Sequence, residues 1–446
     1  MKAAGLAYDD TPPFSAPLRF FLSAPLFGIA AGCVLILDGD ALGSRWTPAA
    51  LAAVHLLTTG LMLHTMIGAL MQILPVVAGA PLPAASRVAS LTHLGLSSGA
   101  LALSWGLGVG QPAALLAGGL LLGTGMLTFL LAALLALRRV AVAAGRSHTP
   151  RDLRLALAGL VITAVLGLLL GALLALGVDL PLPLLALVEL HVGWGWMGWG
   201  GALLAATSWV VVPMFQITPA YPAAMTRFWV PGVGLTLVLW SVAQGLDHAA
   251  GVLTGTMLLC MLAMLFALTT LHLQSRSRRS IPDASFLAFR DAMLAMTAGV
   301  IAVVIARTST TPQWPVLAGV LILHGGFVGV ISAMLYKIVP FLAWLHLTQA
   351  GLKAPNMKKL LPDRPVRRQL QLHRGTLFML LLSMAGGAHF PGLPTQQVAG
   401  LLLVAEFAGL GINLLRTTLA WHRAGGGRRG GRDHDQCAWR ASSKNA

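Results

Sequence analysis

The chain has 446 residues, of which 57% are hydrophobic and only 10% charged. A soluble globular domain carries about 25% charged residues, so this composition is that of a membrane protein. The net charge of +16 would point to nucleic acid in a soluble protein. In a membrane protein basic residues gather on the cytoplasmic side, and no nucleic-acid partner is expected.

Residues 1–16 lack the short apolar run and small-residue cleavage site of a signal peptide, and are expected to form a cytoplasmic segment. A span needs about 20 apolar residues. Twelve such runs follow, at 17–37, 48–75, 88–109, 113–137, 155–177, 182–213, 229–246, 250–272, 289–306, 313–340, 376–390 and 396–419. Clusters of proline, glycine and charge separate them. The eleventh, "TLFMLLLSMAGGAHF", is short, and the preceding 351–375 reads as a soluble loop. Its basic stretch "NMKKLLPDRPVRRQL" is expected to lie on the membrane surface. Residues 422–446 are Gly/Arg-rich and expected to be a disordered cytoplasmic tail. Cys33, Cys260 and Cys437 are widely spaced, form no CxxC pair and suggest neither a disulfide framework nor a zinc site.

Charge orients the chain. With the N-terminus inside, all but Arg45 and Arg307 of the 30 Lys and Arg fall on the inner side, and Asp38, Asp40, Asp179 and Asp247 fall outside. An even span count preserves this asymmetry. The expected fold is therefore all-α: a polytopic integral membrane protein of about 12 transmembrane helices, both termini cytoplasmic, in a bacterial inner membrane with the lipid bilayer as its first partner. Residues 17–421 form the transmembrane domain.

The second, sixth and tenth runs share a design. Each carries a histidine in its outer part and is expected to end at an inner proline: His55 to Pro75, His191 to Pro213, His324 to Pro340. The histidines lie 136 and 133 residues apart, with four spans from each to the next. This suggests three four-helix arcs, at about 17–137, 152–272 and 289–419, where two-fold transporters would repeat every six spans.

Ionisable groups within a bilayer are costly and point to function by default. The only two glutamates, Glu189 and Glu406, both fall inside spans, where each is expected to be protonated or paired with a donor. The alternative is a neutral carboxyl bonding a neighbouring helix. His55 and His64 are half a turn apart on one helix, and Glu189 and His191 differ by about 200°, so neither pair holds one metal ion. His55, His191 and His324 lie at similar depth, and imidazoles from different helices can hold a heme iron or a Cu or Zn ion. The glycines of "HVGWGWMGWGG" allow a backbone or flat ring to approach closely; the tryptophans read first as packing residues.

Twelve spans, three arcs and histidines in spans two, six and ten resemble the catalytic subunit of the heme–copper oxidases and nitric oxide reductases, and the similar NnrS-type heme membrane proteins. The likeness is closest at "GVISAMLYKIVP". It implies His55 and His324 as heme ligands, His191 as a ligand of a second metal such as copper, and electron-donor or partner membrane subunits. The chain departs from the family at two places. Ile322 and Gly326 flank His324 where an H-x-H pair is expected, and the seventh span lacks an adjacent histidine pair. The resemblance therefore implies a heme- or metal-binding protein without a complete binuclear site, in respiration, nitric oxide response or metal handling; whether it is an enzyme stays open. The alternative is a proton-coupled permease using Glu189 and Glu406, with His191 as a further proton carrier and His64 as a proton-transfer or polar intramembrane residue.

Overall fold

The computed structural model describes residues 10–140, 148–178, 183–311, 313–389 and 394–427. Asp179, Cys437 and most of the basic tail lie outside them. Every regular element among the described residues is helical.

Twelve long helices follow one another: α1 Ser15–Leu37, α2 Pro48–Ala78, α3 Ala85–Val109, α4 Pro112–Arg138, α5 Thr149–Leu176, α6 Leu184–Gln216, α7 Ala223–Gly245, α8 Ala249–Ser275, α9 Ala284–Thr308, α10 Gln313–Gln349, α11 Asp363–His389 and α12 Thr395–Arg423. All but α3 and α11 are long and apolar enough to cross a membrane, and the protein is a multi-pass membrane protein. Local chemistry sets several starts. Thr47 accepts from the Ala50 N–H ahead of Pro48, and Asp283 accepts from the Phe286 N–H at the head of α9.

The helices form a ring around three central ones. α1 packs on α12, α3 on α4, α4 on α5, α7 on α8, α8 on α9 and α11 on α12. The most apolar stretches of α2 and α10 are the most enclosed, at 83% and 78% buried. α6 meets both at Gly200, where an added Cβ would lie 2.6 Å from Met62 and 3.1 Å from Phe327. Further along, these helices enclose an apolar cavity of about 90 Å³ between Met66, Leu204, Val211 and Ile331. The ring closes where Gly32 of α1 and Gly400 of α12 let the two backbones touch.

Two expectations are corrected. Pro75, Pro213 and Pro340 sit inside their helices, which run on to Ala78, Gln216 and Gln349; proline removes one ladder bond but need not end a helix packed on neighbours. The segment 363–375 is not loop: α11 begins at Asp363, thirteen residues ahead of the expected start.

α2, α6 and α10 share a further feature. Each switches to π-helical hydrogen bonding: at Leu56–Met62 directly after His55, at Trp194–Gly201 three residues past His191, and at Val320–Val328 around His324. Such segments are rare and favour functional sites, because the extra residue leaves carbonyls off the regular ladder.

Candidate functional site

Three fully buried ligand-type side chains meet inside the third group of four helices: His324 from the π-helical part of α10, His373 from α11 and Glu406 from α12. One ligand atom of each lies within 4.8 Å of the other two. His373 Nδ1 is 2.8 Å from Glu406 Oε1, and His324 Nε2 is 3.5 Å from Glu406 Oε2. The two imidazole rings lie 4.6 Å apart, tilted by 33°.

Each residue is placed by its own helix. Along α11 the buried positions are Val366, Gln369, Leu370, His373, Thr376 and Leu380, a stripe of helical period that turns His373 inward. Arg374 next to it pairs with Asp291 of α9 at 2.7 Å and fixes the rotation of α11. Gly329 clears space, because a Cβ there would lie 3.2 Å from His373 Nε2. Gln369 donates to the Glu406 carbonyl at 2.7 Å and ties α11 to α12.

The hydrogen bonding of this cluster is incomplete. Both His324 nitrogens and Glu406 Oε2 are buried with no hydrogen-bond partner, as are nearby Ser332 Oγ and Gln369 Oε1. A buried polar atom left unpaired costs about 1–3 kcal/mol, so several together mark a place built for something else. A void of about 10 Å³ opens against His373 beside Ser332 and Gln369, close to the room one water or ion takes. A tetrahedral ion with bonds of about 2.0–2.1 Å holds its ligand atoms roughly 3.3 Å apart. The ligand atoms, within 4.8 Å of one another, need to close by only a little over 1 Å to reach that spacing. Two imidazoles and a carboxylate suit Zn, Fe or Cu and leave a fourth position open.

The other expected site residues are distributed differently. His324, which the resemblance implies as a heme ligand with His55, has His373 and Glu406 as its ligand-type neighbours. His55 holds the Leu51 carbonyl through Nδ1 at 2.7 Å, and His191 holds the Thr163 carbonyl of α5 through Nδ1 at 3.0 Å. His55 and His191 are within electrostatic reach of each other. His64 is fully buried and faces α1 and α3, bonding Ser97 at 3.0 Å.

Glu189 lies on a different face from His191, as its spacing predicts. Its two oxygens take Arg45 at 3.2 Å and Arg307 at 2.7 Å, the two arginines that stand alone on the expected outer side. Glu406 also has a partner, so both intramembrane carboxylates are paired. The glycines near His191 admit a backbone: a Cβ on Gly159 of α5 would lie 2.1 Å from the Gly198 carbonyl oxygen. Trp194 donates to Ser241 at 3.0 Å, and Trp199 is buried, so these tryptophans pack.

His373 escapes the sequence reading because "DRPVRRQLQLHR" carries five charges and reads as a loop. Two signals mark it: the fifteen-residue eleventh run is too short to span, and the buried stripe continues backward from it. No known protein-family model matches the chain, and no curated protein does either.

Proposed function

We propose that the protein is an integral membrane metalloprotein that holds a transition-metal ion at His324, His373 and Glu406. The observation that supports this reading is the set of buried, unpaired donor atoms converging on one point: both His324 nitrogens and Glu406 Oε2. In this reading all twelve helices cross a bacterial inner membrane as three four-helix arcs, with both termini cytoplasmic. The centre sits on α10–α12, not on the second, sixth and tenth helices together. Copper, iron and zinc all accept this donor set, and the open fourth position suits redox or metal-handling chemistry. His55 and His191, each with Nδ1 held by a backbone carbonyl, keep Nε2 free in the manner of metal- or heme-ligating histidines. A heme on the expected outer side is accordingly assigned to them, not to His324. Electrons would come from a partner membrane subunit.

The test is elemental analysis and an absorption spectrum of detergent-purified protein. About one non-heme transition-metal ion per chain is expected, counted apart from any heme iron. His324→Gln and His373→Gln are expected to lose it, and His55→Gln to keep it. A second reading draws on the His373–Glu406 bond at 2.8 Å: an imidazole–carboxylate pair of this kind can exchange protons in a permease. Metal-free wild-type protein with intact folding would favour that reading over the first.

A further inference from the structure

A second histidine pair, one ring buried and one half-buried, lies far along the chain from the proposed metal centre, among the first three helices. His64 of α2 and His93 of α3 approach with ring centroids 5.7 Å apart. Ser97 of α3 stands between their Nε2 atoms, 3.0 Å from His64 and 3.5 Å from His93. Ser23 of α1 also reaches His93 Nε2, at 2.9 Å.

The outer nitrogens are fixed. His64 Nδ1 faces the Thr59 carbonyl at 3.0 Å. A carbonyl only accepts, so this nitrogen carries the proton and a neutral His64 keeps Nε2 as an acceptor. Thr59 lies in the π-helical part of α2, where the altered ladder leaves its carbonyl available. His93 bonds the carbonyl of Arg19, which fixes that ring in the same sense. The Arg19 guanidinium, bonded to exposed Ser90 at 2.6 Å, is the charged group facing the pair. Ser90, His93 and Ser97 are spaced three and four residues apart, so they share one face of α3.

A hydroxyl that only satisfies packing needs one imidazole partner, whereas Ser97 lies within reach of both Nε2 atoms. The pocket grades from half-buried His93 to fully buried His64. We propose that His93, Ser97 and His64 form a proton-transfer site, which moves a proton from the end of α3 near Arg19 to the buried imidazole of His64. The step balances. Protonated His93 gives its Nε2 proton to the Ser97 oxygen as that N–H bond breaks. Ser97 releases its own hydroxyl proton to His64 Nε2, where a new N–H bond forms. The positive charge passes from His93 to His64, and Ser97 is regenerated.

The experiment is solid-state nitrogen NMR of histidine-labelled full-length protein in bilayers, titrated from pH 8 down to the acid limit of the fold. His64→Gln and His93→Gln supply the assignments. In the wild type, acidification is expected to add one proton to the pair, in exchange between the two rings. Ser97→Ala is expected to lose the exchange between the His93 and His64 signals while His93 still titrates, which also reports that the variant is folded. Ser97→Thr, which retains a hydroxyl, is expected to restore it. A His64 spectrum that stays neutral throughout in the wild type would overturn the proposal, as would unchanged transfer in Ser97→Ala.

Discussion

The chain has two glutamates, and their settings differ in kind. Glu189 lies near the start of α6, its side chain 21% exposed, between two arginines. Arg45 belongs to the first group of four helices and Arg307 to the third, so one carboxylate pins all three groups together at the rim. Glu406 is fully buried in α12, with His373, His324 and the Thr376 hydroxyl beside its carboxylate and no cation facing it. A carboxylate satisfied by cations at a wet rim is an architectural device. A carboxylate buried beside histidines, with capacity to spare, has the surroundings of a ligand. Residue type made both candidates, and only the partners separate them.

The largest effect is expected at Glu406. Glu406→Ala removes the partner of His373 and leaves two buried imidazoles facing an empty pocket. Removing one member of a buried pair costs about 3–5 kcal/mol, and thermal unfolding in detergent is expected to show a loss of that order together with loss of bound metal. Glu406→Gln, nearly equal in size, is expected to recover much of the stability and little of the metal. Recovery of full metal content by the glutamine would erase the distinction between the two glutamates.

Asp283 offers an intermediate case, a partly exposed acid at the head of α9 paired with Lys337 at 2.5 Å and Arg279 at 2.6 Å. Burial pushes its carboxyl pKa upward, but the Lys337 hydrogen bond and charge, the Phe286 N–H and Arg279 outweigh it, and the net direction is downward from 3.8. A depressed folded value means the stabilisation is complete above the ordinary carboxylate range and is lost as pH falls through the lowered value. Asp283→Asn is expected to cost about 1 kcal/mol near neutrality and to flatten the acid limb of the stability–pH curve below about pH 4. An unaltered acid limb would remove Asp283 from that role.

The smallest effect is expected at the rim. Partly exposed ion pairs contribute about 0.2–1 kcal/mol each and are screened by salt. Glu189→Gln is therefore expected to lower the unfolding temperature slightly at low ionic strength and hardly at all at high salt, with metal content unchanged. Loss of metal on this substitution would show that the rim and the centre are coupled.

These comparisons also mark what the sequence could convey. Long apolar runs bounded by Pro, Gly and charge exposed ten of the twelve helices to within about six residues and the start of α10, because lipid enforces one simple rule on every backbone group. α11 broke that rule. Its first half carries arginines that fold back onto acids, Arg367 onto Asp363 and Arg374 onto Asp291, so local charge concealed a buried stripe. Glu406 was visible because an acid in an apolar run is rare. Its association with His324 was not, since three helices converge on it from sites up to 82 residues apart in the sequence and the π-helical turn that aims His324 has no local signature. The shared histidine depth on α2, α6 and α10 was legible, whereas the direction each ring faces depended on neighbours the sequence does not name.

The most direct test of the central claim is X-ray absorption at the edge of whichever transition metal accompanies the purified full-length protein. Two imidazole ligands and one carboxylate oxygen are predicted, with bonds of about 2.0–2.2 Å, and His373→Gln is predicted to lose one imidazole from the outer-shell pattern. A spectrum unchanged in His373→Gln, or a wild-type protein purified without any transition metal, would contradict the assignment of His324, His373 and Glu406 as a metal centre.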